Sequence, residues 1–231
     1  MPFFTSAELE ALWLSVRVAA SSTAVALPFA VLMAWVLSRC RFPGRALLDG
    51  IVHLPLVMPP VVVGYLLLIT LGARGPVGAW LDRWFGIQLV FTTTGASIAA
   101  GVMSFPLMVR TIRLGLEAVD RGLEDAARTL GASRLDAFVT ITLPLMVPGI
   151  VAGMVVAFAA ALGEFGATIT FVSNIPGETR TLPLAIYTAT QTPDGDAAAA
   201  RLAGLAFGFA LAALMASEWL ARRVQRWIGR A

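Results

Sequence analysis

Of 231 residues, 58% are hydrophobic and only 13% charged, with a mean hydropathy of +0.81, a balance too apolar for an ordinary soluble domain. The formal charge is +3 and all seventeen basic residues are Arg, so a phosphate-gripping P-loop, which requires Lys, cannot be written anywhere in the chain; any nucleotide chemistry belongs to a partner. One Cys, Cys40, and one His, His53, exclude an intrachain disulfide and a His/Cys metal cluster built from this chain alone.

A bilayer core of about 30 Å takes roughly 20 apolar residues of helix to cross. Five stretches reach that length, over 9–37, 46–71, 89–109, 138–162 and 197–220. Helices are the open-ended way to satisfy backbone groups in lipid, so the expected fold class is an all-α polytopic membrane protein with about five transmembrane helices. Ahead of the first stretch stand Glu8 and Glu10, with no basic residue before Arg17; a secretory leader opens with positive charge, so this span is expected to be retained. Arg17 is expected to snorkel to the interface.

Arg39, Arg41 and Arg45 separate the first stretch from the second. Within the second, Asp49 and His53 share a helix face, while Pro55, Pro59 and Pro60, followed by Gly64, interrupt the hydrogen-bond ladder and predict a bend. The connection "GPVGAWLDRWFG" sets Trp80, Trp84 and Phe85 at helical spacing, the pattern of a helix lying flat at the interface. Arg110, Arg113, Arg121, Arg128 and Arg134 follow the third stretch, and the charged, Ala-rich "EDAARTLGASRLDAFVTITLPL" at 124–145 leads into the fourth. Beyond it, "SNIPGETRTLPLAIYTATQTPDGD" carries turn signals at Pro176-Gly177 and Pro193-Asp194-Gly195 around an amphipathic middle, which predicts a short helix over the bundle mouth. Gly149 and Gly153, and again Gly204 and Gly208, are spaced for close helix approach. Arg222, Arg223, Arg226 and Arg230 follow the last stretch.

The Arg clusters therefore follow the first, third and fifth spans. The opposite loops hold Arg74, Arg83, Arg180 and Arg201, the last two balanced by Glu164, Glu178, Asp194 and Asp196. Positive loops stay in the cytoplasm, which puts the N-terminus outside and the C-terminus inside. Because the Arg residues sit at the ends of apolar runs, they form no strip for nucleic acid. No linker or low-complexity segment divides the chain, and one domain over 1–231 is expected.

In the charged insert, Leu123, Ala126, Ala127 and Leu130 form a narrow apolar face on a short helix, rimmed by Asp125, Arg128, Arg134 and Asp136. Gly131 permits the positive φ that stops such a helix. The order Asp125-Ala126-Ala127, three residues, Gly131, nine residues, Ile141-Thr142-Leu143-Pro144 resembles the EAA loop of ABC-importer permeases, with Asp125 where that motif more often has Glu. The stretches "RCRFPGRALLD", "HLPLVMPPVVVGYLLL", "SFPLMVR", "LGEFGATITFVSNIPGETRTLPLAIYT" and "SEWLAR" extend the resemblance to permeases of bacterial molybdate ABC transporters over nearly the whole chain; "LGEFG" is shared with sulfate permeases.

The resemblance implies a type I ABC-importer permease fold, located in the bacterial cytoplasmic (inner) membrane, with a cytoplasmic coupling loop at about 115–137. It implies ATPase-coupling roles for Asp125, Ala126, Ala127, Arg128, Gly131, Ile141, Leu143 and Pro144. The implied partners are a second copy of the chain, two cytoplasmic ABC ATPase subunits that carry ATP and Mg, and a periplasmic oxyanion-binding protein. The chain itself is expected to hold no cofactor, metal or catalytic residue. Glu164, Thr168, Thr170 and Ser173 are the gate or pathway candidates. A carboxylate repels a dianion such as molybdate, so Glu164 either gates the path or simply meets interfacial water; the three hydroxyls either offer donors or pack. Three other readings stand beside this one: a sulfate or tungstate permease, a passive anion channel needing no ATP, and an intramembrane serine protease using His53 with Ser97. Counted at 1.5 Å per residue, that His and Ser lie roughly 10 and 18 Å from the inner face, an unfavourable offset.

Overall fold

The structure is a computed structural model that describes residues 5–228, with side chains described through residue 215 and at residue 219. Arg222, Arg223, Arg226 and Arg230 thus lie outside the described side chains. Every regular element among the described residues is helical.

The first helix, α1 (Ser6–Arg39), opens with a capping box in which Thr5 Oγ1 accepts the Glu8 amide at 3.3 Å and Glu8 Oε2 accepts the Thr5 amide at 2.8 Å. Its 34 residues make a rod of about 51 Å, longer than a bilayer core, so its ends project beyond the apolar layer. The buried stripe through Leu14, Val18, Ala30, Ala34 and Leu37 packs mainly on α5 and α8, and Ala11 packs with Leu182, Ala185 and Leu202 of the last two helices.

The stretch expected as one bent span is two helices, α2 (Arg45–Val57) and α3 (Pro60–Leu71), whose axes diverge by 113°. Met58 and Pro59 both precede a proline and both adopt extended backbone, with ψ of 143° and 132°. Neither Pro59 nor Pro60 has an N–H to continue the ladder, and Pro60 instead opens α3, where no donor is needed. Asp49 of α2 meets Arg113 near the end of α5, while Leu71 of α3 packs against the apolar cluster that holds Leu89, just before α5, and Ala96 in its first turn. The broken pair therefore runs from one end of the bundle to the other. Counted with the four long apolar helices, the broken pair brings the candidate crossings to as many as five.

The amphipathic α4 (Pro76–Phe85) leaves Trp80, Trp84 and Phe85 exposed, as expected of an interfacial helix. At the centre of the bundle is α5 (Thr93–Glu117), which buries Ala96, Ala99, Ala100, Met108, Val109, Ile112 and Leu116 against α1 and α8. Two short helices follow, α6 (Arg121–Thr129) and α7 (Arg134–Ala137). A π turn (Phe138–Thr142) then leads into α8 (Leu143–Leu162). A break at Gly163–Phe165 separates α8 from α9 (Gly166–Val172), after which α10 (Leu182–Thr190) packs against α1 and α11 (Asp196–Ile228).

The two ends differ in chemistry. One gathers Arg39, Asp49, Arg113, Glu117 and Glu124; at the other, Glu8 pairs with Arg201 at 3.0 Å, Ser15 Oγ accepts the Leu182 amide at 2.6 Å and Thr93 Oγ1 donates to the Glu178 carbonyl at 2.7 Å.

Candidate functional site

The segment after α5 is built from local rules. Asp120 caps α6, its Oδ1 accepting the Gly122 amide at 2.8 Å. At the other end the Ala132 amide donates to the Ala127 carbonyl and the Gly131 amide to the Arg128 carbonyl, each at 3.1 Å, a Schellman closure with Gly131 at φ +96°. A Cβ on Gly131 would meet no atom within 4 Å, so what the position demands is backbone conformation rather than space. Ser133 then starts α7 with a second capping box, its Oγ accepting the Asp136 amide at 3.1 Å while Asp136 Oδ2 accepts the Ser133 amide at 3.2 Å.

The entry into α8 is shaped by Pro144. Its missing N–H would have bonded the Thr140 carbonyl, and its ring crowds that carbonyl; the ladder widens into the π turn, closed by the Leu143 amide on Phe138 O. The widened turn buries Thr142 completely and places its hydroxyl on Glu124 Oε1 at 2.5 Å. The same oxygen accepts Arg39 Nη2 at 2.8 Å, from the last turn of α1.

Of the residues singled out from the sequence, Asp125, Ala126 and Arg128 are exposed on α6, Ala127 is half-buried and Asp125 meets Arg128 at 4.0 Å. Ile141 and Leu143 are half-buried, and Pro144 is exposed at the start of α8. The apolar side chains of the segment stand in the open: Leu130 is 90% exposed and Leu135 71%. The sequence reading missed Glu124, Arg39, Thr142 and Ser133. Glu124 directly precedes Asp125, and only the helix phase, about 100° per residue, decides which carboxylate turns inward. The Ser-x-x-Asp pattern at 133–136 was the readable signal for the second cap.

The pathway candidates lie along one stretch, from the α8–α9 break to the end of α9. Glu164 lies half-buried in the break between α8 and α9, where its Oε1 accepts the Ala167 amide at 2.7 Å. Thr168 is buried, Thr170 Oγ1 donates to the Gly166 carbonyl at 2.8 Å, and Ser173 is exposed at the far end of α9 with φ +64°. The α8–α9 break does meet the α2–α3 break: a Cβ on Gly166 would lie 2.7 Å from Pro60 Cβ, and one on Gly64 would lie 2.6 Å from the Ala167 carbonyl oxygen. Two interrupted helices thus face each other, while Pro59 and Pro60 remain exposed. In lipid, irregular backbone of this kind persists only where protein covers it or a cavity borders it.

His53 Nδ1 lies 3.2 Å from Asp49, and Ser97 Oγ sits 2.7 Å from Ser21 Oγ and donates to the Thr93 carbonyl at 3.0 Å. Among the described residues no serine is within hydrogen-bonding reach of His53, so the nucleophile and base of a protease are not assembled.

A family model described as "Binding-protein-dependent transport system inner membrane component" matches residues 26–229. The chain is 59% identical over 226 residues to the molybdenum transport system permease protein ModB of Escherichia coli strain K12, covering 98% of this chain and 99% of that protein. To ModB of Haemophilus influenzae it is 52% identical over 222 residues, covering 96% and 97%. The sulfate transport system permease protein CysT of Escherichia coli strain K12 is 41% identical over 172 residues, covering 74% of this chain and 62% of that protein. In fold, the chain resembles the crystal structure of a bacterial ABC transporter involved in the import of the acidic polysaccharide alginate, with a TM-score of 0.76 at 21% identity, over 96% of this chain and 81% of that one. The chain therefore belongs to the binding-protein-dependent transport system inner membrane component family, as a multi-pass membrane permease with the type I ABC-importer fold.

Proposed function

We propose that this permease passes molybdate across the bacterial cytoplasmic (inner) membrane, driven by ATP that partner subunits hydrolyse. The observation that carries the substrate is the 59% identity to a molybdenum permease along 98% of this chain, against 41% along 74% for a sulfate permease. In this reading 1–231 form one permease domain, with a cytoplasmic coupling segment at about 115–137 inside it. A second copy of the chain completes the pathway. Two ABC ATPases, which bind ATP and Mg, sit beneath the pair, and a periplasmic oxyanion-binding protein docks above it.

The orientation follows from charge. The Arg-rich end of the bundle, with α6, faces the cytoplasm; the end holding α4, α10 and the N-terminus faces outward. The bare Leu130 and Leu135 supply an apolar surface for the ATPase cleft, and Asp125 and Arg128 form its charged rim. Ala126 and Ala127 allow close approach, Gly131 sets the turn, and Ile141, Leu143 and Pro144 join the segment to α8. Glu164, Thr168, Thr170 and Ser173 belong to the gate or pathway, with Glu164 at the meeting point of the two broken helices acting as gate rather than ligand.

The test is uptake into liposomes holding the full importer. Molybdate should accumulate only with ATP and binding protein, and a tenfold excess of sulfate should not displace it. Uptake without ATP would make the chain a channel, and sulfate transported as well as molybdate would move it to the sulfate class.

A further inference from the structure

Among the described residues, Glu124 is the one side chain of α6 that is hydrogen-bonded or ion-paired to another helical element. The other polar contacts of α6 are local: Asp120 with Gly122, Asp125 with Arg128, and Thr129 with Ala126. No residue of α6 is buried, and its main packing partners are α7 and the π turn. Apart from its two chain connections and this packing, the helix is tied to the membrane bundle, among the described residues, by the polar contacts of a single carboxylate oxygen.

That oxygen joins three elements. Arg39 ends α1, where a guanidinium also suits the negative end of the helix dipole. Thr142 lies one residue before α8, and its burial depends on the π turn that Pro144 imposes. The ion pair is largely shielded, with side chains 13% and 26% exposed, so solvent and salt weaken it less than a surface pair. From Thr142, α8 runs 20 residues, about 30 Å of continuous helix, to the break at Glu164. A displacement of α6 thus has a direct, charge-assisted link to α1 and to the helix that ends at the candidate gate.

We propose that Glu124 is the positioning residue that couples α6 to the spans, gripping the Arg39 guanidinium and the Thr142 hydroxyl so that motion of the short helix moves α1 and α8 together. Asp125 faces the partner ATPase and Glu124 faces the permease: adjacent carboxylates with opposite tasks. The proposal rests on the importer reading above.

The experiment uses the complete importer in liposomes and reads three quantities: ATPase co-purified per permease, ATP hydrolysed with binding protein present, and molybdate taken up per ATP. Glu124→Gln keeps the length of the side chain and an acceptor for Thr142 but removes the charge. Uptake per ATP should fall about tenfold, within the usual range of coupling free energies, while the ATPase co-purifies at the parental ratio. Thr142→Val, a milder change, should lower the same ratio about threefold. The exchange Arg39→Glu with Glu124→Arg should restore a substantial part of what Glu124→Arg alone loses, which a merely structural defect would not do. Parental uptake per ATP in both Glu124→Gln and Thr142→Val overturns the proposal, and so does a loss of assembly that leaves that ratio unchanged. Failure of the unmutated permease to hold the ATPase or to move molybdate sinks the importer reading instead, and that is seen in the parent before any variant is compared.

Discussion

Gly115 on α5 and Gly149 on α8 meet backbone to backbone: a methyl group on Gly149 would sit 2.8 Å from the Gly115 Cα, and one on Gly115 would sit 2.7 Å from the Gly149 Cα. One turn along, a Cβ on Gly153 would press within 2.7 Å of Ile112. The close approach of α5 and α8 is thus set by missing side chains.

Gly149→Ala should accordingly destabilise the permease by about 1–3 kcal/mol, the usual cost of overpacking, because the obstructing atoms are backbone and cannot rotate away. Gly204→Ala and Gly208→Ala make the contrast, since a Cβ at either meets nothing within 4 Å in the chain. Thermal unfolding in detergent should shift downward for Gly149→Ala and stay parental or rise slightly for the α11 pair, where Ala only improves helix propensity. A parental melting curve for Gly149→Ala would mean that the two helices separate at little cost.

Orientation has its own check. In a Cys40→Ser background, a cysteine at Ser133 should react only with reagent that enters the cytoplasm, and one at the exposed Thr190 of α10 should react from outside. Labelling of Ser133→Cys in intact cells by an impermeant reagent would invert the topology.

The hydropathy of the sequence made the crossings legible, because burial in lipid needs length and apolarity and little else. Their ends were less so: Arg110 and Arg113 read as the close of the third span, yet α5 continues to Glu117 because Arg113 Nε pairs with Glu117 at 2.8 Å and Nη1 with Asp49 at 3.4 Å. Pro59 and Pro60 announced the α2–α3 break, but not its 113° angle, which goes with α9 packing on Gly64, a contact distant in sequence. In the insert, Gly131 and the Leu-Pro end were readable from spacing. The inward carboxylate was not, because the partners of Glu124 lie 85 residues before it and 18 after it.

Ser173 occupies φ +64°, ψ −158°, a region that only glycine enters freely. The Thr179 hydroxyl holds it there, donating to the Ser173 carbonyl at 3.2 Å and accepting the Ile175 amide at 2.9 Å. Ser173→Gly should raise stability by on the order of 1 kcal/mol, the relief of strain less the added freedom of glycine when unfolded. Ser173→Ala keeps the strain and removes only the hydroxyl, so molybdate uptake by this variant reads the proposed pathway role. Uptake at the parental rate removes Ser173 from the pathway; a drop without a change in melting temperature retains it.

The sharpest expectation concerns Gly131, whose φ of +96° turns the chain from α6 to α7 in open space. Because no neighbour crowds the position, a side chain there is resisted only by its own backbone, and the residue types sort by their tolerance of positive φ. Asn enters that region with little penalty, whereas a β-branched residue strongly resists it. Gly131→Asn should therefore keep most ATPase association and uptake. Gly131→Val should insert and dimerise normally, since the spans are untouched, yet bind the ATPase weakly and transport little, because relief of the strain swings α6 and the exposed Leu130 away from their docking pose. Co-purification of the ATPase and binding-protein-stimulated hydrolysis in liposomes measure both variants. If Gly131→Val assembles and stimulates hydrolysis like the parent, the α6–α7 turn is not the coupling element, and Asp125 to Pro144 lose the role proposed for them.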